Sequence, residues 1–433
     1  MLRPNIVFIL ADDLGYADLS CYGRREYDTP HIDGIAGRGV RFLQAYANSA
    51  VCSATRLALI TGRYQYRLPL GLEEPLAGKA DVGLPPEHPT LPSLLRAAGH
   101  ATALIGKWHL GMPPRFGPLR SGYDRFWGIR SGATDYFTHL NARGAPDLWD
   151  GDVPVERAGY LTDLLGDKAV ETVGAFASSG RPFFLSLHFN APHWPWVAHG
   201  DEAESERLRG SNLRHYDGGT MRTYGRIVQA MDTQVGRVLQ ALDAHGVGEN
   251  TIVVFTSDNG GERFSDTWPF SGVKTELLEG GLRVPTVMSW PARLPAGIDC
   301  DQVMVTMDWL PTLLAAAGAA ADPAYPSDGM DLLPVLEGRA AAGPRALFWR
   351  YKWNDQAAMR DGDYKYLKIR DNTFLFDVVR DPRERANLTA RLPEVYARMT
   401  AEWQRWNATM LPTIPGSFAE SFTAAQLADH IGL

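Results

Sequence analysis

The sequence predicts an α/β protein with a large mixed, mostly parallel sheet sandwiched by helices, followed by a small C-terminal α+β subdomain with an antiparallel sheet. Continuous apolar, β-branched runs such as Asn5 to Leu10 and Thr251 to Ser257 are typical of strands buried on both faces of a sheet. Segments with helical spacing, such as Leu161 to Ser178, separate these runs. After Gly343 the pattern changes to short alternating runs broken by Asp-Gly and Asp-Asn turns, which indicates an antiparallel meander.

The chain of 433 residues is long enough for more than one domain. We place a large α/β domain over residues 1–343 and the antiparallel subdomain over residues 344–433. A helix from about Pro393 to Asn407 is expected to cover one face of the second sheet. In the large domain, apolar residues at helical spacing predict a long amphipathic helix from roughly Tyr216 to His245.

Composition excludes several classes of protein. A hydrophobic fraction of 45% and a charged fraction of 21% are ordinary for a globular protein. The net charge of −7 gives no basic face for nucleic acid, and no apolar run approaches the length that spans a membrane. Three cysteines do not make a disulfide framework. We therefore expect neither a nucleic acid nor a membrane partner, while the oligomeric state is not predicted.

The N-terminal apolar run ends in the carboxylates Asp12 and Asp13, without a small-residue cleavage site. This pattern favours a core strand over a secretion signal. We therefore expect a cytoplasmic protein, or a periplasmic or secreted one if a leader was trimmed from the sequence.

Polar side chains follow each of the strands predicted to be parallel. Because the carboxyl ends of parallel strands meet at one edge of a doubly wound sheet, these side chains can converge. Taken singly, an Asp-Asp pair could be a solvated turn and a histidine could be packed in the interior. The four groups, in chain order, are Asp12 with Asp13, Lys107 with His109, His193, and Asp258 with Asn259.

The oxygen ligands among these groups favour a hard cation. Asp12, Asp13, Asp258 and Asn259 offer carboxylate and amide oxygens, which suit Ca²⁺ or Mg²⁺ better than zinc. Moreover, the sequence has no Cys/His cluster with zinc spacing. We favour Ca²⁺ for its tolerance of carboxylate-rich sites, although Mg²⁺ fits the same ligands.

Cys52 begins a segment predicted to turn from a loop into a short helix that ends at Gly62. Free N–H groups and the helix dipole at such a position favour an anion or a thiolate. Arg56 lies one turn later on the same face, so the pair could bind a tetrahedral oxyanion. The alternative is a buried cysteine in a core helix.

Five motifs, in this order along the chain, resemble those of type I sulfatases in the alkaline phosphatase superfamily. The resemblance extends from Asn5 into the C-terminal subdomain and makes residues 1–343 the expected catalytic domain. The motifs are Cys52-x-Ala54-x-Arg56 with Thr61-Gly62-Arg63, Gly106-Lys107-Trp108-His109-Leu110-Gly111, Ala191-Pro192-His193, Asp258-Asn259-Gly260, and the stretch from Gly272 to Pro285.

The resemblance implies hydrolysis of aryl, alkyl or sugar sulfate monoesters. A maturase would convert Cys52 to formylglycine, whose hydrate would be the nucleophile and a metal ligand beside the usual Ca²⁺. In the implied roles, Arg56 orients this nucleophile, Lys107 and Lys274 bind sulfate oxygens, His109 is the base that expels sulfate, and His193, with Lys274, protonates the leaving oxygen. Glu279 and Arg283 would form a structural ion pair.

Two other functions stay open at this point. One is a phosphonate monoester or phosphodiester hydrolase of the same superfamily, and the other is a silent anion-binding protein with an unmodified Cys52. Ala54 replaces the commoner proline of the signature, a variant that the resemblance associates with radical-type maturases. The substrate would be chosen by loops at residues 66–90, 130–160 and 195–215, which carry no readable motif.

Overall fold

A computed structural model describes residues 3–211 and 213–430 of the chain, so both outer ends of the predicted domains lie outside the described residues. The strands are β1 Asn5–Ala11, β2 Val40–Phe42, β3 Ala45–Tyr46, β4 Ala101–Gly106, β5 Arg125–Gly128, β6 Trp149–Asp150, β7 Val153–Pro154, β8 Phe183–His188, β9 Thr251–Ser257, β10 Thr286–Ser289, β11 Ile298–Cys300, β12 Met304–Val305, β13 Ala346–Tyr351, β14 Gln356–Asp361, β15 Tyr364–Ile369 and β16 Asn372–Asp377. The α-helices are α1 Pro30–Gly37, α2 Cys52–Thr61, α3 Leu91–Ala97, α4 Leu161–Ser178, α5 Glu202–Arg207, α6 Met221–Ala244, α7 Glu279–Leu282, α8 Trp309–Ala317, α9 Leu333–Leu336 and α10 Pro393–Asn407.

The predicted fold class is confirmed. The large sheet has the strand order β11-β2-β10-β9-β1-β8-β4-β5-β6-β7. Its centre, from β9 through β1, β8 and β4 to β5, is parallel, whereas β10 pairs with β9 in the antiparallel sense. The second sheet is the antiparallel meander β13-β14-β15-β16.

Strand β1 is buried on both faces, which explains its continuous apolar sequence. Val7 and Ile9 belong to the core beneath α1, α4 and α6. Ile6, Phe8 and Leu10 belong to the opposite core, which α2, α3, α8 and α9 cover. A layer of helices on each face of a parallel sheet leaves the strand ends as the place for polar groups.

The long amphipathic helix is shorter at its start than the sequence predicts. Helix α6 begins at Met221 rather than near Tyr216. Gly219 has a left-handed backbone with φ 78°. The side chain of Thr220 then caps the helix by accepting a hydrogen bond from the Thr223 N–H at 3.1 Å. No helix in the described part of the chain combines the length and the apolar character needed to cross a bilayer.

The two sheets are joined by a buried charge network around Glu279. The predicted ion pair is present, with Nε of Arg283 2.8 Å from Oε2 of Glu279. Lys365, on β15 of the second sheet, contacts Oε1 of Glu279 at 3.0 Å and Glu384 at 2.9 Å. Burial opposes ionisation of Glu279, but the charges of Lys365 and Arg283 hold its pKa well below the usual value.

We expect Lys365→Met to destabilise the protein by about 3–5 kcal/mol, because it leaves two buried carboxylates without their shared cation. The matched control is Lys368→Met on the same strand, whose ion pair with Asp355 lies at the surface. That change is expected to cost about 0–1 kcal/mol. Urea unfolding followed by circular dichroism measures both values, and equal losses would contradict a special role for the buried network.

Candidate active site

The strand ends bring the predicted carboxylates to one place at the edge of the large sheet. Asp12 and Asp13 follow β1, and Asp258 follows the adjacent β9; all three side chains are buried. The Asp13 N–H donates to Oδ1 of Asp258 at 3.2 Å. The amide of Asn259 donates to Oδ1 of Asp13 at 2.7 Å. Residues 245 positions apart in sequence are therefore neighbours.

Two buried cations, Lys107 and Arg56, contact this acidic cluster. Lys107, which follows β4, places its Nζ 2.5 Å from Oδ2 of Asp12. Arg56, on α2, donates from Nε to Oδ2 of Asp258 at 2.9 Å and from a terminal nitrogen to the Lys107 carbonyl at 3.2 Å. Burial, and then the neighbouring Asp12, raise the pKa of Asp258 to about 7, although Arg56 opposes this. These cations therefore stabilise neighbouring carboxylates that carry the same charge and are buried away from water.

The donor set fits a hard divalent cation. Oδ1 of Asp12 and Oδ1 of Asn259 are buried and accept no hydrogen bond within the described structure. Ligand atoms of Asp12, Cys52 and Asp258 lie within 4.8 Å of one another, as do those of Asp12, Asp13 and His193. Buried oxygens without donors are costly unless a cation accepts their lone pairs. A candidate acidic metal site is therefore present, and Asp12, Asp13, Asp258 and Asn259 stay its predicted oxygen ligands.

Cys52 is the first residue of α2, and the helix ends at Gly62 with φ 66°, as the sequence predicts. Its Sγ lies 3.4 Å from Nδ1 of His109, whose Nε2 is 2.9 Å from the Leu76 carbonyl oxygen. The expectation that the helix start favours a thiolate is not met. Burial raises the pKa of the thiol to about 12 despite the nearby Lys107 and Lys274.

His193 and Lys274 both contact Asp13, whereas Lys107 contacts Asp12. Nζ of Lys274 donates to Oδ2 of Asp13 at 2.9 Å and lies 3.4 Å from Nε2 of His193. Nδ1 of His193 lies 2.8 Å from the Trp194 carbonyl, so this nitrogen carries the proton of the neutral ring and Nε2 is the acceptor. Burial lowers the pKa of His193 to about 3, and Asp13 opposes this only in part.

The backbone near the site adopts conformations that non-glycine residues seldom hold. Asp13, His109 and Thr275 have φ values of 67°, 58° and 74°. Such residues persist only where the surrounding structure fixes them, and they cluster at functional sites. Gly106 is needed for a different reason, because a Cβ there would lie 1.8 Å from the His188 carbonyl oxygen. Strands β4 and β8 can therefore approach closely just before Lys107.

A pocket of about 330 Å³ opens onto these groups. Cys52, His109, His193 and Lys274 line it, whereas Arg56 and Lys107 are buried and are not among its lining residues. Each of the three loops predicted to choose the substrate contributes to the wall. The remaining lining residues are Pro75, Leu76, Ala77, Gly78, Gly111, Met112, Arg130, Ser131, Gly132, Ala133, Asn141, Ala142, Arg143, Trp194, Arg214 and Glu420.

The structure also brings into the pocket two residues that the sequence did not single out. Glu420 comes from the C-terminal tail, and Arg214 comes from the loop before α6. Arg214 donates to Oε1 of Glu420 at 3.1 Å. Arg214 lies within the predicted loop at residues 195–215, although no motif singles it out, and no strand end or motif precedes Glu420.

The fold and the site together define an α/β enzyme that processes a tetrahedral anion beside a metal. Comparison with known proteins gives the family. The sulfatase family model matches residues 4–319, and the model for the C-terminal region of N-sulphoglucosamine sulphohydrolase matches residues 273–407. The chain therefore belongs to the sulfatase family, and it is a sulfuric ester hydrolase.

Individual relatives agree with this assignment. The chain is 32% identical over 388 residues to N-acetylgalactosamine-6-sulfatase of Canis lupus familiaris, covering 84% of this chain and 71% of that protein. The crystal structure of Ps i-CgsB in complex with k-i-k-neocarrahexaose has a TM-score of 0.86 and 30% identity, covering 97% of this chain and 95% of that one. Phosphonate monoester hydrolase of Agrobacterium radiobacter has a TM-score of 0.66 and 22% identity, covering 94% and 96%, which shows a shared fold alone.

We expect Ca²⁺ or Mg²⁺ to raise the melting temperature of the protein, because a cation that binds only the folded state stabilises it. At a hundredfold excess over Kd the gain is about 2.7 kcal/mol. Asp258→Asn should remove most of this cation-dependent shift, since it replaces a buried ligand carboxylate with an amide.

The matched control for this measurement is Asp299→Asn, which alters a surface carboxylate paired with Arg41. Differential scanning fluorimetry with each cation and with chelator measures the shift separately in each protein. An equal cation-dependent shift in Asp258→Asn and in wild type would contradict the assignment of these ligands.

Proposed function

We propose that this sulfatase hydrolyses sulfate esters of saccharides, with formylglycine made from Cys52 as nucleophile and Ca²⁺ in the acidic site. The position of residue 52 carries the proposal. Its Sγ belongs to the ligand cluster with Asp12 and Asp258, and the same residue lines the pocket. A group formed there would reach both a bound cation and a substrate.

The side chains around residue 52 supply the rest of the chemistry. A bound divalent cation would act as a Lewis acid toward the sulfate oxygens. His109, 3.4 Å from Sγ of Cys52, is placed to remove a proton from the group at position 52. Lys274 and His193 both line the pocket, and we assign them together the protonation of the leaving oxygen. Because Nε2 of the neutral His193 carries no proton of its own, it would relay one from the ammonium of Lys274, 3.4 Å away. Lys107 would contribute positive charge to the site through its contact with Asp12.

The pocket wall supports a saccharide substrate. Its volume of about 330 Å³ is close to the lower end of the usual range for small-molecule sites. Asn141, Arg143, Arg214 and Glu420 offer hydrogen-bond donors and acceptors suited to ring hydroxyls, while Trp194 offers an aromatic surface. The related Ps i-CgsB structure contains k-i-k-neocarrahexaose, which is consistent with a sugar in this place.

The proposal requires a maturase that acts on Cys52 before folding is complete. In the folded chain the cysteine is 2% exposed, so an enzyme could not reach it. The conversion is an oxidation in which a water oxygen replaces the sulfur, which leaves as sulfide, and the residue loses two hydrogens. An oxidant supplied by the maturase would accept the two electrons. Ala54 stands where the family signature more often has proline, and the resemblance associates this variant with radical-type maturases. We therefore propose a radical-type maturase as the partner.

We expect His193→Ala to slow hydrolysis more for a saccharide sulfate than for nitrophenyl sulfate. Loss of a general acid typically costs about 10²–10⁴-fold, but a nitrophenolate leaves readily without a proton. Steady-state kinetics on both substrates measures the difference, with His245→Ala, an exposed histidine at the end of α6, as control.

A phosphodiester with the same nitrophenyl leaving group tests the alternative function in the same assay. A sulfatase should hydrolyse the sulfate ester with a higher kcat/KM than the phosphodiester. Faster turnover of the phosphodiester would overturn the proposed substrate class, and equal losses on both sulfates would remove His193 from the role of acid.

We expect the active protein to contain an aldehyde at position 52, and Cys52→Ala to have no sulfatase activity above background. Mass spectrometry of the tryptic peptide that ends at Arg56 measures conversion through the exchange of sulfur for oxygen and the loss of two hydrogens. The control is Cys300→Ala, another buried free cysteine, which should stay active. Full activity with an unmodified Cys52 would contradict the proposal.

A further inference from the structure

We propose that Glu420, on the C-terminal tail, is a positioning residue of the active site that holds Lys274 and Arg214 on the pocket wall. The inference rests on the proposed function and deepens it. Residue 420 lies beyond both regions that the family models match, which end at residues 319 and 407. Its role therefore follows from this structure alone.

The tail is fixed to the body of the protein on both sides of Glu420. Ala419 forms a parallel β-bridge with Glu74. The Glu74 N–H donates to the Phe418 carbonyl at 3.0 Å, and the Glu420 N–H donates to the Glu74 carbonyl at 2.6 Å. The hydroxyl of Tyr351 donates to the Glu420 carbonyl at 2.8 Å. Backbone contacts of this kind determine where the side chain points.

The carboxylate of Glu420 is buried in the wall of the site and contacts two cations. Its side chain is 5% exposed, with Oε1 3.1 Å from Arg214 and Oε2 3.5 Å from Nζ of Lys274. Lys274 thus lies between two carboxylates, because Oδ2 of Asp13 is 2.9 Å from the same nitrogen. Two anions and the ring of His193 fix the ammonium in one position.

An anion in this position has two opposing effects on catalysis. It repels the sulfate group of a bound substrate or product, which weakens binding in the ground state. It also keeps the ammonium of Lys274 aligned with His193, and misplacement of a catalytic group by about 1 Å can cost as much as 10²-fold in rate. Glu420 therefore weakens the binding of sulfate but keeps Lys274 in the correct position for catalysis.

Glu420→Gln tests this inference, because it removes the charge and keeps the shape. We expect kcat for nitrophenyl sulfate to fall about 10–100-fold through loss of alignment. Inorganic sulfate should bind about 3–10-fold more tightly, because a nearby like charge is gone. Glu420→Asp keeps the charge but retracts it, so it should lower kcat without tightening sulfate binding.

The matched control is Glu73→Gln, which makes the same chemical change in the attachment of the same tail. Glu73 accepts the Phe418 N–H at 3.1 Å and pairs with Lys79, outside the pocket. A merely structural role would make both variants lose stability and activity in parallel. The inference predicts that, of these two variants, only Glu420→Gln changes kcat and sulfate affinity. Its unfolding temperature should be no lower than that of Glu73→Gln.

Calorimetric titration with inorganic sulfate, together with thermal unfolding, measures binding without any need for turnover. Unchanged sulfate affinity in Glu420→Gln would overturn the inference even if the preparation had no activity. If Glu420→Gln binds sulfate more tightly but the wild-type protein hydrolyses no sulfate ester, the inference would stand. That result would contradict only the proposed function.

Discussion

The structure depends on the burial of three carboxylates at the end of two neighbouring parallel strands. Asp12, Asp13 and Asp258 are at most 1% exposed. Two unit charges 4 Å apart interact by about 4 kcal/mol at an effective dielectric constant of 20, so this cluster needs compensation. Arg56, Lys107 and Lys274 supply it from other elements, each in direct contact with one of the three acids.

This electrostatic requirement explains why the site draws on so much of the chain. Each compensating cation comes from a different segment: α2, the end of β4, and the stretch before α7. The cations are themselves buried and would be costly without the acids. Acids and cations therefore stabilise one another only in the complete fold. The same charges leave two oxygens, on Asp12 and Asn259, for a divalent cation.

Much of this arrangement could be predicted from local sequence patterns. The bounds of β9, α4 and α10 coincide with the predicted runs, because each has an uninterrupted period and a clear end. The topology of a parallel sheet then placed the polar residues after β1, β4, β8 and β9 at one edge. Their roles in the reaction rest on the family resemblance and stay predictions until variants are measured.

Other features differ from the prediction or have no local signal. The raised pKa of Cys52 depends on complete burial, which outweighs the helix start that the sequence shows. The start of α6 does have a local signal, Gly219 followed by the cap at Thr220, which the predicted start near Tyr216 overlooked. Glu420 reaches the site through a β-bridge to residue 74, more than three hundred positions earlier. Residue patterns along the chain do not indicate which segments without periodicity contact each other.

The proposed boundary between residues 343 and 344 divides the sheets, but residues from both sides of it line the candidate site. Lys365 of the second sheet neutralises Glu279, which lies five residues after Lys274. Tyr351, also in that sheet, fixes the backbone of Glu420 beside the same lysine. Lys274 is therefore constrained from the large sheet through Asp13 and from the C-terminal region through Glu420. Because both constraints act on one ammonium group, the C-terminal region contributes directly to the candidate active site.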